Sequence, residues 1–171
     1  MQSVIDTYKA IGQHGDVVLL QQNIPKVDFV KSPDGASANI NDILNQYILA
    51  HQNGLEVFFV VDALNGLNRS QFQGLPFGWK ASFADTRVRA AFTNFTLRIV
   101  REFHPRYLSL ASEINTYADT YPEDFPNFLS LYNSVYNQVK AEAPGTQIFV
   151  TFQWEELNNL IPQVAPESTP R

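Results

Sequence analysis

Helix-like and strand-like periodicities alternate four times along this chain, helix first, and that order constrains the fold more tightly than any single residue. The first helix is expected from about Ser3 to His14, with Val4, Ile5, Tyr8 and Ile11 on one face and Ser3 and Asp6 at capping-box spacing. After His14-Gly15, Asp16 to Gln22 (DVVLLQQ) reads as a buried strand, and Asn23 to Ala36, with two prolines and a glycine, as a loop. A second helix from Ser37 to Gln52 turns Ile40, Ile43, Leu44, Tyr47 and Ile48 inward, and Gly54 stops it before the strand Leu55 to Asp62 (LEVFFVVD). A long loop, Ala63 to Ala84, precedes a helix capped by Asp85 and reaching Phe103, whose apolar face is Val88, Ala91, Phe92, Phe95 and Ile99. His104-Pro105 breaks it ahead of the strand Tyr107 to Glu113 (YLSLASE). The fourth helix follows Pro122, runs to about Ala143 and buries Phe125, Phe128, Leu131, Val135 and Val139. Pro144-Gly145 stops it, and Gln147 to Gln153 (QIFVTFQ) is the last strand. A short helix is expected next, so residues 1–161 form one incomplete domain; Pro162 to Arg171, with three prolines, is a loop or frayed tail.

Strands that begin about 40 to 50 residues apart, with a helix in each interval, imply repeated right-handed crossovers and therefore a parallel sheet. Two architectures satisfy this: a doubly wound sheet, or part of an eight-stranded barrel. The doubly wound fold favours a glycine-rich turn after the first strand, and Gln21-Gln22-Asn23-Ile24-Pro25 is unlike one. A whole barrel takes about 250 residues, so four strands in 171 residues correspond to half of it. Other classes are excluded by composition. Twelve Lys and Arg against 17 Asp and Glu give a net charge of −5 with no basic run, which argues against a nucleic-acid partner. Apolar runs such as Val57 to Val61 fall far short of the roughly 18 residues of a membrane span, so no membrane partner is expected. The N-terminus lacks the basic-then-apolar order of a signal peptide, which leaves open secretion of a longer form. The absence of cysteine removes disulfides, thiolate metal sites and a Cys nucleophile.

Chemistry on a parallel sheet gathers beyond the carboxyl ends of its strands. The groups there are Gln21, Gln22 and Asn23; Asp62 and Asn65; Ser112, Glu113, Asn115 and Tyr117; Gln153, Trp154 and Glu155. Donors, acceptors and flat aromatic faces in one place suit a sugar, although polar residues follow many strands simply because loops are polar. Glu113 stands out because it ends an otherwise apolar strand, where a carboxylate needs partners. His14, His51 and His104 all sit at helix C-termini, on the opposite edge of such a sheet. That placement disfavours a three-His metal centre and a Ser-His-Asp triad, leaving carboxylates as the acid-base groups. Asn68-Arg69-Ser70 and Asn94-Phe95-Thr96 match the glycosylation triplet, a pattern common by chance.

The stretches FFVVDALNGL (Phe58 to Leu67), RAAFTNFTLRIVREFHPRYLSLASEIN (Arg89 to Asn115) and FLSLYNSVYNQVKAEAPGTQIFVTFQ (Phe128 to Gln153) together resemble the second through fifth strands of clan A glycoside hydrolases. The resemblance implies an α/β fold: a partial (β/α)8 TIM barrel with four parallel strands alternating with four helices. It also implies hydrolysis of O-glycosidic bonds in a polysaccharide or oligosaccharide. In that superfamily the acid/base glutamate ends the fourth barrel strand, usually in an Asn-Glu pair, and Glu113 falls on this position. Ser112 stands where the asparagine would be, with Asn115 nearby to share its role, and Lys26 stands where an aromatic is expected. The nucleophile implied by the resemblance lies on the seventh strand, so the chain reads as a fragment of a longer retaining enzyme. Glu155 and Glu156 lie past a strand that does not supply the nucleophile in this superfamily.

The sequence-level expectation is therefore Glu113 as general acid/base. Gln21, Asp62, Asn65, Asn115, Tyr117 and Gln153 would contact sugar hydroxyls, and Trp79 and Trp154 would stack on rings. No metal or organic cofactor is implied. Two rival readings remain: a non-catalytic carbohydrate-binding module using the same strand ends, and a structural fragment whose open sheet edges lead to self-association.

Overall fold

The computed structural model describes residues 2–158; the proline-rich tail and the end of the expected domain lie outside the described residues. The elements are α1 (Gln2–His14), β1 (Val17–Asn23), α2 (Lys26–Phe29), α3 (Ala38–Gln52), β2 (Glu56–Asp62), β3 (Leu64–Asn65), β4 (Asn68–Phe72), α4 (Thr86–Phe103), β5 (Tyr107–Ser109), α5 (Ile114–Thr120), α6 (Phe125–Glu142), β6 (Gln147–Phe149) and α7 (Trp154–Leu157). The order β1-β2-β5-β6 is sequential, and every pairing in this sheet is parallel. No strand is inserted between later ones, as it would be in a doubly wound sheet. This is half of an eight-stranded barrel in strand count and order.

Local chemistry fixes the helix ends. Ser37 caps α3 by accepting from the Asn39 N–H, and Asp85 caps α4 by accepting from the Arg87 N–H. Helix α4 ends at His104, which turns left-handed at φ 45° and returns its N–H to the Val100 carbonyl ahead of Pro105. Between these caps, Val88, Ala91, Phe92, Phe95, Ile99 and Phe103 are buried, matching the expected face. Phe103 stacks on Phe59 of the sheet at 5.2 Å, while Phe95 meets Phe29 of α2 edge-on at 5.1 Å. Leu20, Val57, Phe59, Val61 and Leu108 carry the sheet side of this core.

Among the described residues, no helix covers the opposite face of the sheet. In register, Leu19 lies beside Phe58 and Phe58 beside Tyr107. The rings of Phe58 and Tyr107 are 4.2 Å apart, with Phe149 at 6.2 Å from Phe58. The reading of β1 as a buried strand needs correction, because Val17 and Leu19 are 44% and 54% exposed. They point to this face on an edge strand, and the alternate residues reach the core, Leu20 fully and Val18 in part. Helix α1 likewise buries only Tyr8, leaving Val4 and Ile5 exposed, and it begins before Ser3, which is inside the helix rather than at its cap.

Two expected strands are shorter in the structure. Regular pairing in β5 and β6 stops after three residues each, although Leu110 N–H still reaches the Phe149 carbonyl and Thr151 N–H the Ala111 carbonyl. The Ser109 hydroxyl bonds the Ala111 carbonyl, and Glu113 adopts φ 52°, so the chain leaves the ladder and enters α5. Neither loop is structureless: the first holds α2, and the second holds the antiparallel β3-β4 hairpin. Both short elements satisfy backbone groups that a long irregular segment would leave unpaired.

Candidate functional site

A single line of polar contacts crosses the carboxyl rim of the sheet. Gln21 Nε2 donates to Asp62 Oδ2 at 3.2 Å, and Arg69 Nη1 donates to the same oxygen at 2.7 Å. Arg69 Nε donates to Glu113 Oε2 at 3.0 Å, and the Glu113 backbone N–H donates to Thr151 Oγ1 at 3.1 Å. The line thus passes over the ends of β1, β2, β5 and β6 in spatial order, with the hairpin strand β4 supplying the arginine. His14, His51 and His104 end or cap the helices that enter these strands, so they occupy the other rim.

Asp62 is the buried carboxylate of this line, at 2% exposure. Burial pushes its carboxyl above the ordinary range, against the opposing pull of the Leu64 N–H, the Arg69 charge, the Ser112 N–H and the Lys26 charge. Oδ1 accepts the Leu64 N–H at 3.0 Å, so both carboxylate oxygens are engaged. Lys26 lies at 3% exposure, with its ammonium on the Gln73 carbonyl, and desolvation lowers its pKa from 10.5 to about 8 despite the nearby Asp62 charge. Arg69 therefore bridges Asp62 and Glu113, and Lys26 places a second buried cation close enough to feel the Asp62 charge. Glu113 differs from Asp62 in being reachable, since its side chain is 39% exposed. It also sits on strained backbone, where φ of 52° in a residue with a Cβ is a recurrent property of functional positions.

Asn115 and Gln153 are brought together but occupied with each other. Asn115 Nδ2 donates to the Gln153 carbonyl and to Glu156 Oε2, while the Gln153 N–H donates to Asn115 Oδ1. Thr116 Oγ1 adds contacts to Gln153 Oε1 and Glu156 Oε2, so this cluster ties α5 to α7. Tyr117 faces the interior at 1% exposure, between Phe72, Phe83 and Tyr121. Its hydroxyl donates to Asp124 at 2.7 Å; burial, together with that bond, pushes it well above the usual phenol range. Asn65 spends its Oδ1 on the Leu67 N–H inside the hairpin. Trp79 is half-buried with the Arg87 guanidinium 5.1 Å from its ring centre, and Trp154 is 67% exposed at the start of α7. Among the described residues, no group of three His, Asp or Glu side chains is placed to hold a metal ion.

Sequence reasoning did not single out Arg69 or Asp124. Arg69 is one of two basic residues in the segment Ala63 to Ala84, and a cation beside two expected rim carboxylates was the signal available. Asp124 accepts from Ser82 Oγ, the Phe83 N–H, Tyr117 Oη and Asn127 Nδ2, which pins the long loop to α5 and α6. Burial alone would raise its carboxyl, but these four donors hold it below the ordinary value.

No family model matches the sequence, and no curated protein sequence matches it. Solved structures do. A GH5_18 glycoside hydrolase from Bifidobacterium longum subsp. infantis superposes with a TM-score of 0.63 at 17% identity over 90% of this chain. A variant GH5_18 from Bifidobacterium longum subsp. longum, in complex with Manβ1-4GlcNAc, gives 0.64 at 17% identity, also over 90% of this chain. A family 39 glycoside hydrolase from the gut symbiont Bacteroides cellulosilyticus gives 0.57 at 14% identity over 86% of this chain and 28% of its own length. The chain spans 39% and 38% of the two GH5_18 proteins. At these identities the likeness is one of fold: the chain carries four consecutive strand and helix units of the TIM barrel seen in GH5_18 and family 39 glycoside hydrolases.

Proposed function

We propose that this chain carries the acid/base half of a retaining glycosidase site, with Glu113 protonating the leaving oxygen of an O-glycosidic bond and then deprotonating water. The observation that supports this reading best is the pairing of a reachable carboxylate with left-handed backbone at the carboxyl rim of the barrel half, in contrast to the buried and fully bonded Asp62. Retaining hydrolysis needs a second carboxylate about 5 Å from the first. Asp62 is unsuited to that attack because both its oxygens accept hydrogen bonds, so the nucleophile would come from a barrel strand beyond the four present. Gln21, Asn65 and Gln153 would meet sugar hydroxyls, and Trp154 is free to stack on a ring. Asp62, Asn115 and Tyr117 would shape the rim from beneath.

In the barrel-complete enzyme, Glu113→Gln should abolish most turnover of substrates with poor leaving groups and spare those with acidic phenols, because only the former need the proton. Equal losses on both, or no loss, would make Glu113 a structural carboxylate. The isolated chain should show no turnover of aryl glycosides. A carbohydrate-binding role without catalysis is favoured by one observation, the exposed Trp154 beside Gln153. Calorimetric binding of an oligosaccharide that Trp154→Ala removes, with Glu113→Gln silent in every assay, would select it.

A further inference from the structure

Arg69 contacts the two rim carboxylates through different nitrogens of one rigid plane: Nη1 holds Asp62, and Nε holds Glu113. Its own side chain is 11% exposed. The fork is fixed from both ends. Asp62 is held by the Leu64 N–H and Gln21, and the hairpin carrying Arg69 is closed by Asn65 pairing with Asn68, whose Oδ1 accepts the Ser70 N–H. Glu113, by contrast, has a side chain that is 39% exposed and would sample several rotamers without a partner. Arg69 touches only Oε2; among the described residues Oε1 has no partner and faces the rim unengaged.

We propose that Arg69 is the positioning residue for Glu113: anchored on Asp62, it orients the carboxylate by one oxygen and leaves the other free to meet the glycosidic oxygen. This rests on the acid/base reading of Glu113 and adds the residue that aims it. An arginine is required because two carboxylates in different directions must be served from one planar group, which the single ammonium of lysine does not do. Asp62 is then an anchor, and its burial is what keeps the arginine from swinging out with solvent.

The chain itself can be tested, with Glu113 as the reporter. Carbodiimide coupling of a glycine ester at fixed pH, followed by peptide mass mapping, gives the labelling rate of Glu113 relative to the exposed Glu123. Arg69→Gln should raise that ratio by about tenfold, the loss expected for one charge-assisted bond, and Arg69→Lys should fall between. If Arg69→Gln does not fold, the wild-type arginine Nε–H resonance decides: it should be protected from exchange and lose protection in Glu113→Gln, while the Asp62 bond persists. A purely structural Arg69 would lower the melting temperature and leave the Glu113 to Glu123 ratio unchanged, and an unprotected Nε–H insensitive to Glu113→Gln would also overturn the proposal. The leaving-group test described above fails independently. A silent Glu113→Gln in the barrel-complete enzyme would refute the acid/base reading, even with the Arg69 contact intact.

Discussion

The backbone N–H of Glu113 donates to the Thr151 hydroxyl at 3.1 Å, across the gap where the regular pairing of β5 and β6 has already ended. That bond ties the segment after β5 to the segment after β6 and helps retain Glu113 at φ 52°, a conformation a residue with a Cβ adopts only under constraint. One residue on, at the start of α5, the Ile114 N–H also reaches the Thr151 carbonyl.

The strain at this position should be measurable by comparing two truncations. Glu113→Gly should be more stable than Glu113→Ala by about 1 kcal/mol, because both lose the same ion pair and only glycine tolerates positive φ freely. Equal denaturant midpoints for the two variants would show that the left-handed turn carries no strain.

Lys26 should make stability rise at alkaline pH. Its pKa is about 8 in the folded chain and 10.5 when unfolded, so between those values the unfolded state binds more protons and folding is increasingly favoured as pH rises. The gain across that window is roughly 3 kcal/mol for a fully expressed shift of this size. Urea unfolding of the wild type and Lys26→Met from pH 7 to 10.5 tests this: the upward slope should be present in the wild type and missing from the variant.

Removing Asp124, which pins the long loop from the start of α6, should loosen that loop. Asp124→Ala strands the Phe83 N–H and the buried Tyr117 hydroxyl, for a cost of about 3 kcal/mol, and Asp124→Asn should cost less because its amide oxygen still accepts. Because the folded carboxyl lies below its ordinary value, its stabilisation is complete above the unfolded pKa and is lost as pH falls through the folded one. The wild type should therefore lose stability in acid more steeply than Asp124→Asn, as read by thermal melts from pH 6 down to 3.

The uncovered sheet face should promote association of the chain with itself. Leu19 and Val17 are half exposed on an edge strand whose outer side has no partner among the described residues. Light scattering after size-exclusion chromatography should find species larger than 19.3 kDa, and Leu19→Glu should return them toward the monomer without lowering the melting temperature. A monomer at all concentrations for the wild type would contradict this.

The sequence by itself determined the alternation of the four long helices with the four sheet strands, the parallel sheet and the rim on which Gln21, Asp62, Glu113 and Gln153 gather, but not α2, α5 or the β3-β4 hairpin. Each follows from signals within a few residues: the apolar face of Val88 to Phe103, the caps at Ser37 and Asp85, and the stop at His104-Pro105. What lies between distant residues was decided only by the tertiary structure. Arg69 and Glu113 are 44 residues apart, Ser82 and Asp124 are 42 apart, and no periodicity links them. The same holds for burial. DVVLLQQ reads as a buried strand because its composition is apolar, yet half of its side chains look onto an uncovered face, and exposure is a property of what packs opposite rather than of the residues themselves. Asp62 and Glu113 both read as strand-end carboxylates, with Glu113 standing out from the sequence, but nothing in the sequence states how deep either lies. The fold distinguishes them by depth, which leaves one a buried carboxylate with both oxygens bonded and the other a carboxylate that solvent reaches.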